Sequence, residues 1–522
     1  MAAANENMSS KISETLWGHR FTDGQRGPEY VLEFLNVLWG TDYDLGAFKY
    51  KRKKAINFRK FIFEGVKEGA NGKIATLCEE EKQKLMEAFN DSRDVNVLKK
   101  FLRNLEVPLY NTNGKMADRS WFAKTIYPLH ECLLFFELRV KNNTIDFERN
   151  FFARGGELYF LMIYHGTKNN PVVKVFIEDR LKELLQKNDV IHKVYQKVVD
   201  ATSDIEEELS YGYLRKHEEM KQGQKLPVLP DENLPLYEDF AEELANLLKI
   251  DIDIYEMFHL LTSLICFQLL RYMLYRATSI QGKRLNFFVD CLEGTDNLIY
   301  RLSAKNFATH ELIIKESFDN AFEENFKKII NESENIDQVL SEWKAEPEIF
   351  LKQFNFNKLG QKNKTLIKRA LSKCENKDDI FNKLIKELKN IVSDQLKKHQ
   401  LGINRILVRD GGIGGYRSGS SYRYVYSDTF LQAIVYSNLK PNEEKEFSEF
   451  LELLYQKYGI VIGEDQARES NLYEESNLNI RYFQKNEQAL REKLRKNGLL
   501  IEFSDATAMI QNPFKLMVGV QG

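Results

Sequence analysis

Arg409-Asp410-Gly411-Gly412-Ile413-Gly414-Gly415-Tyr416-Arg417-Ser418-Gly419, followed closely by Tyr422-Arg423-Tyr424-Val425-Tyr426, opens the stretch 401–514 on which the reading of this chain turns. Glycines at that density let the backbone turn freely, and helix-length segments follow. Residues 427–437 start at a capping Ser427 or Asp428, while 442–458 and 478–497 repeat apolar residues at helical spacing. Residues 463–470 have the length of a short additional helix. Gly498 ends the last long one, and Leu499-Leu500-Ile501-Glu502-Phe503 turns at Ser504-Asp505 into Ala506-Thr507-Ala508-Met509-Ile510. Helices ending in a basic helix and then a hairpin are the order of a winged helix. The expected fold class is mainly α: a multi-domain helical protein with a C-terminal winged-helix-like α+β module.

The glycine loop has the density of a phosphate cradle but not its grammar. No Gly-Lys-Ser/Thr follows, and counting from Gly412 the third glycine of a dinucleotide fingerprint falls on Arg417. A nucleotide site on the loop is therefore excluded. With Arg409, Arg417 and Arg423, the loop suits a polyanion or a partner surface, or simply a hairpin turn before residue 422. In the last helix Arg481, Lys485, Arg491, Lys493, Arg495 and Lys496 stand against Glu487 and Glu492, whereas 442–475 is strongly acidic. One face suits phosphate and the other a protein partner, so DNA contact and protein docking both stay open.

Twenty-eight glycines and 10 prolines among 522 residues are few chain breakers, which favours long helices. The net charge of -2 excludes a globally basic coat, so nucleic-acid contact has to come from local patches. Cys78, Cys132, Cys266, Cys291 and Cys374 are scattered without a Cys-x-x-Cys. That pattern leads us to expect thiols in a reducing cytoplasm rather than disulfides or zinc. Residues 1–10 lack a signal-peptide apolar core, and the apolar run 255–277 is interrupted by His259, Gln268, Arg271 and Arg276. It reads as a core helix rather than a membrane span.

Ahead of these lies a helix within 15–40, with Pro28 in its first turn and Gly40 at its end. Lys49, Lys51, Arg52, Lys53, Lys54, Arg59 and Lys60 then make seven of twelve residues basic, interleaved with Phe48, Tyr50 and Phe58. Such a run suits phosphate neutralisation and stacking, or a solvated helix face. Amphipathic helix is expected over 79–104, a turn at 111–114, and a buried helix over 120–140 kinked at Pro128. His130 and Glu131 are adjacent there and point to different faces, so they form no metal pair. Gly155-Gly156 before the apolar run 158–164 offers backbone N–H groups to an anion, beside Arg149 and Arg154, or a plain turn between helices. Charged helices over 178–219 precede a linker, 222–236, with Pro227, Pro230 and Pro235.

The expected division is an N-terminal helical domain (1–221), the linker (222–236), and a middle helical domain with a charged arm (237–400). The winged-helix-like module (401–514) and a tail (515–522) follow. The middle domain opens on helices over 240–250 and 254–277, and 303–398 is lysine- and glutamate-rich with a thin core and a turn at Gly360. Asp290, Glu293 and Asp296 have the look of a Mg²⁺ carboxylate cluster, with Lys305 near, though helix capping by Asp296, with loop solvation of the others, is the default reading.

Asp410-Gly411-Gly412-Ile413-Gly414, Arg417, Tyr422-Arg423-Tyr424, Ser427-Asp428 and the later Tyr458-Gly459-Ile460-Val461-Ile462-Gly463 resemble uncharacterised winged-helix-containing accessory proteins of multi-gene bacterial anti-phage and restriction islands. That resemblance implies a partner in a defence assembly, beside an ATPase or a nuclease, and brings no catalytic motif. The leading expectation is a non-enzymatic, cytoplasmic subunit without a cofactor or membrane contact. It would touch double-stranded DNA through Lys49, Lys51, Arg52, Lys53, Lys54, Arg409, Arg417, Arg423, Arg481, Lys485, Arg491 and Arg495. The alternatives are a metal-dependent nuclease and a scaffold that meets only proteins.

Overall fold

The computed structural model describes residues 8–18, 21, 24–39, 49–52, 56–68, 73–89, 91–110, 115–117, 119–130, 138–141, 144–147, 155–202, 210–213, 229–278, 284–333, 335–354, 356, 359–416, 420–504 and 507–515. Helices α1 (Met8–Trp17), α2 (Gly27–Trp39), α3 (Gly155–Gly166) and α4 (Pro235–Leu248) assemble around α5 (Ile254–Thr278). The second half adds α6 (Asn297–Asn331), α7 (Ile385–Asp410), α8 (Asp428–Asn438), α9 (Phe447–Tyr458) and α10 (Ile480–Lys496). By length and composition α5 is apolar enough to cross a membrane, yet 94% of its most apolar window is buried inside the protein. Helices α1, α2, α6, α7 and α8 all pack on it. A helix apolar all round needs neighbours all round. Buried apolar residues from Ile12 to Ile510 form one contiguous cluster.

The C-terminal region adds small sheets, giving a mainly helical protein with α+β character at that end. Glu444–Glu446, Ala508–Gln511 and Leu500–Glu502 form a three-stranded antiparallel sheet in that spatial order. Ile460–Val461 pairs in parallel with Phe287–Phe288, which stitches the region to the middle of the chain. The aromatic-rich stretch expected to be a thin arm closes its own small core. Trp343, Phe350, Phe354 and Phe326 meet with ring centroids 4.7–6.4 Å apart.

One buried carboxylate joins four helices. Arg271 Nη1 of α5 donates to both Glu243 oxygens at 3.0 and 3.1 Å, and Gln268 Nε2 donates to Oε2 at 2.7 Å. Lys457 of α9 lies 3.1 Å from Oε1, and Tyr159 of α3 donates to Gln268 Oε1 at 2.7 Å. The Arg271 guanidinium sits over Tyr458, Phe240 and Phe267 at 4.5, 5.1 and 5.6 Å.

The double glycine opens α3 and does meet an anion, but the anion is the protein's own. Gly156 N donates to Glu33 Oε2 and Gly155 N to Gln25 Oε1, both at 2.8 Å, and Gln25 Nε2 donates to the same Glu33 oxygen at 2.5 Å. A helix N-terminus favours negative charge at this spot, and α2 supplies it.

At the start of α2, Glu29 is fully buried. Burial pushes its carboxyl up to about 7, against the pull of Arg119 at 3.0 Å and the Arg26 N–H at 2.8 Å. A raised folded-state value means that its contribution to stability is complete below the ordinary carboxylate range and is lost as pH rises through about 7. Glu29→Gln is therefore expected to remove a slope of at most about 1.4 kcal/mol per pH unit between roughly pH 4.5 and 7. Urea midpoints of wild type and variant across that range check this, and parallel curves would refute it.

Three expectations are corrected. The described residues of 120–140 are not a helix: Trp121–Ala123 is a single 3₁₀ turn, and residues 125–127 lie extended against 105–107. Leu138–Lys141 then pairs antiparallel with Thr144–Phe147. Pro128 blocks helix continuation, and Leu138-Arg139-Val140 with Thr144-Ile145-Asp146-Phe147 alternates at the strand period around two asparagines. The helical reading of 178–219 holds for Pro171–Gln186 and Asp189–Thr202, but Ser210–Tyr213 is a strand. Its partner is Lys49–Arg52, in the register Lys49↔Tyr213, so that part of the basic run is a strand, while Arg59 and Lys60 lie on the helix Ile56–Phe63 with Phe58 buried. Of the expected linker, 222–228 lies outside the described residues, while Leu229 and Leu234 are buried. Cys266, Cys291 and Cys374 are buried free thiols and Cys78 an exposed one; Cys132 lies outside the described residues.

Candidate nucleic-acid interface

Helix α10 is held by one face and shows the other. Phe483, Asn486, Leu490 and Leu494 are its buried residues, a helical stripe of spacing three and four. Asn486 bolts it down: Oδ1 accepts from Cys291 N at 2.8 Å, and Nδ2 donates to Val289 O at 2.8 Å and Ile462 O at 3.0 Å. Asn479 caps the start through Arg481 N at 3.0 Å. Gly498, at φ +70, takes the chain out of the helix toward Leu500–Glu502.

The cations of α10 divide into two groups. Lys493 turns inward and donates to Glu293 Oε1 at 2.5 Å and to Tyr426 O at 2.6 Å. Arg491 and Arg495 are tethered to Glu502 on the adjacent strand, at 2.9 and 3.4 Å. Arg481, Lys485 and Lys496 are exposed and make no ion pair with any described residue. The Lys485 ammonium rests 5.8 Å from the Tyr482 ring.

The other expected contacts scatter. Arg423 is buried, its Nε donating to Asp290 Oδ2 at 2.7 Å and its guanidinium over Tyr300 at 5.0 Å. It is a core strut and cannot meet a polyanion, which corrects the reading of the loop. Ser303 and His310 of α6 fix the same hairpin: Tyr424 N donates to Ser303 Oγ at 3.1 Å, and the Tyr424 hydroxyl lies 2.6 Å from His310 Nδ1. Burial drives the His310 pKa down to about 3, so it stays neutral. Arg409 donates to Asp410 Oδ1 at 2.7 Å and Tyr110 O at 3.0 Å. Lys49, Lys51 and Arg52 belong to the strand paired with Ser210–Tyr213. Lys53, Lys54 and Arg417 lie outside the described residues.

The three carboxylates do not converge. Asp290 pairs with Arg423, Glu293 with Lys493, and Asp296 caps α6 by accepting from Leu298 N at 2.9 Å and Ile299 N at 3.3 Å. Among the described residues no group of three or more His, Cys, Asp or Glu is placed to hold a metal ion. His130 is buried beside His192, ring centroids 4.6 Å apart, and Glu131 lies outside the described residues.

Sequence reasoning missed one feature next to α10. Arg301 and Lys305, exposed on α6, border a groove of about 350 Å³ with Leu298, Leu302, Leu472 and Leu478. Leu478 leads into α10, so these cations stand beside the start of that helix, with Glu475 also lining the groove. Their i, i+4 spacing was the available signal; the neighbouring carboxylates drew the attention instead. The chain matches no protein-family model, no curated protein and no solved structure.

Proposed function

We propose that the chain is a non-enzymatic, DNA-associated subunit whose C-terminal region acts as a winged helix and presents α10 to duplex DNA. One observation carries this: helix α8, strand Glu444–Glu446, helix α9, helix α10 and the hairpin 500–511 come in that order, with strand Ile460–Val461 and the short helices Glu464–Glu469 and Leu472–Ser476 inserted between α9 and α10, and the first strand of the sheet pairs with the last. That is the order in which winged helices offer their last helix to the major groove. The free cations Arg481, Lys485 and Lys496 lie on the exposed face of that helix. In the motif resemblance of the glycine loop we find support for a further proposal, membership of an anti-phage assembly beside an ATPase or nuclease.

The test is duplex binding as a function of salt. Each phosphate contact adds about 0.9 to the slope of log K against log salt. Arg481→Glu/Lys485→Glu/Lys496→Glu is expected to flatten the slope by about two to three and to weaken binding by at least tenfold. Arg491→Glu, a residue already committed to Glu502, is expected to matter less. Duplex binding that ignores the triple variant removes α10 from the proposal.

A second reading has its own observation. Ile501, on the edge strand of the three-stranded sheet, and Phe503, just beyond its end, are 37% and 48% exposed. An open edge with apolar side chains suits strand addition by a protein partner. A stable partner that is lost on Ile501→Lys, in a protein with no DNA affinity, favours that reading.

A further inference from the structure

A second cavity, of about 490 Å³, shares no residue with α10. Its walls come from distant stretches: the start of α2, residues 107–110 with Tyr127, the middle of α5, the end of α7 and the start of α8. The volume falls within the roughly 300–1,000 Å³ usual for small-molecule sites.

Its lining is polar on one side and apolar on the other. Arg26 and Arg409 bring two cations to it, and Asp410 is its one acidic residue. That carboxylate accepts from Gly27 N at 2.9 Å and pairs with Arg409 Nη2 at 2.6 Å, so the lining as a whole keeps one net positive charge. The first turn of α8 borders the cavity through Ser427 and Thr429, and a helix start carries partial positive charge. Pro108, Leu109 and Tyr127 supply an apolar wall.

Ser263 is the independent sign of a ligand. It is only 3% exposed and lines the cavity, yet its hydroxyl has no hydrogen bond with any described residue. Helical serines commonly satisfy themselves on the carbonyl four residues back, as neighbouring Thr262 does on Phe258 O at 2.8 Å. A buried hydroxyl without a partner is unfavourable unless something in the cavity completes it. Half-buried Thr429 likewise bonds to no described residue.

We propose that this cavity binds a nucleoside monophosphate. Its phosphate lies toward Arg26, Arg409, the Ser263 hydroxyl and the start of α8, and its ring lies against Tyr127 and Leu109. The glycines of the loop take part only by packing: a Cβ on Gly412, at φ +68, would stand 2.0 Å from Ser427 Oγ. The site is thus a pocket between helices rather than a glycine cradle, which is why no phosphate-loop spacing marks it.

Isothermal titration of the full chain with adenosine 5′-monophosphate, adenosine and inorganic phosphate tests this. The monophosphate is expected to bind at least tenfold more tightly than either fragment. Ser263→Leu, which fills the cavity, and Thr429→Glu, which sets a carboxylate at its rim, are each expected to weaken it at least tenfold. Should Ser263→Leu fail to fold, the half-exposed Thr429→Glu decides. Adenosine or phosphate binding as tightly as the monophosphate overturns the proposal. So does binding untouched by Thr429→Glu, or no binding of the monophosphate at millimolar concentration.

Discussion

Glu243→Ala is expected to lower the stability of the protein by about 3–5 kcal/mol, the cost of breaking a buried ion pair from one side. The carboxylate is fully buried, and the Arg271 side chain is 7% exposed. Removing Glu243 leaves that guanidinium among the Phe240, Phe267 and Tyr458 rings without its bonded carboxylate, with only the field of Asp239 to oppose its charge. Ring faces attract a cation, by about 0.5–1 kcal/mol when exposed and about 2 kcal/mol or more when desolvated, but they carry no opposite charge. Lys457 is less affected, because its side chain is 26% exposed and can turn to water.

Burial works to raise the Glu243 pKa, and Arg271 with Lys457 overcomes it, holding the carboxyl below the usual value. A depressed folded-state value means that this stability is present above the ordinary carboxylate range and is lost as pH falls through the lowered one. Glu29 and Glu243 therefore tilt the pH profile in opposite directions. A paired replacement, Glu243→Leu with Arg271→Met, is expected to recover much of the loss, since apolar residues of similar volume replace buried pairs well. Urea unfolding followed by tryptophan fluorescence measures both. An unchanged midpoint for Glu243→Ala means that the four helices do not depend on this carboxylate.

How far the sequence announces this architecture depends on the range of the interaction. The apolar run 255–277 and the segments 427–437 and 478–497 carry their own period and are helices in the fold, while of 442–458 only Phe447–Tyr458 is helix, Glu444–Glu446 being a strand. Asp296 as a cap and the hairpin after Gly498 are equally local, fixed by residues within a few positions. Strand pairing over long separations is not. Lys49–Arg52 finds Ser210–Tyr213 across about 160 residues, and a basic run read by itself gives no hint of that partner. The 120–140 segment failed for another reason: its apolar density outweighed Pro128 and the two-residue alternation.

Charge was the least legible property. Arg423, Arg409 and Lys493 read as free cations in one dimension, and each has its carboxylate far away or next door. The Asp290-to-Asp296 cluster misleads in the same way, because its members serve a strut, a tether and a cap. On α10, Arg481, Lys485 and Lys496 are exposed without an ion pair to any described residue, and Arg495 is exposed but tethered to Glu502.

Gly156→Ala is the second large effect, and it arises from backbone proximity rather than charge. A Cβ at Gly156 would stand 2.4 Å from Tyr30 O, and 2.6 Å from both Phe34 N and Glu33 Cβ. Two of those atoms are backbone of α2, so no rotamer change relieves the contact; α3 has to move. Alanine is the better helix former by about 1 kcal/mol, while overpacking costs about 1–3 kcal/mol. Moving α3 also pulls the Gly155 and Gly156 N–H groups off Gln25 and Glu33. Leaving a buried charged acceptor short of a donor adds about 1–3 kcal/mol more. The unfavourable contributions win, and a net loss of about 2–5 kcal/mol is expected. Gly415→Ala is the control, because a Cβ there meets nothing within 4 Å; its midpoint is expected within about 0.5 kcal/mol of wild type. If Gly156→Ala unfolds together with that control, α2 and α3 do not pack backbone to backbone.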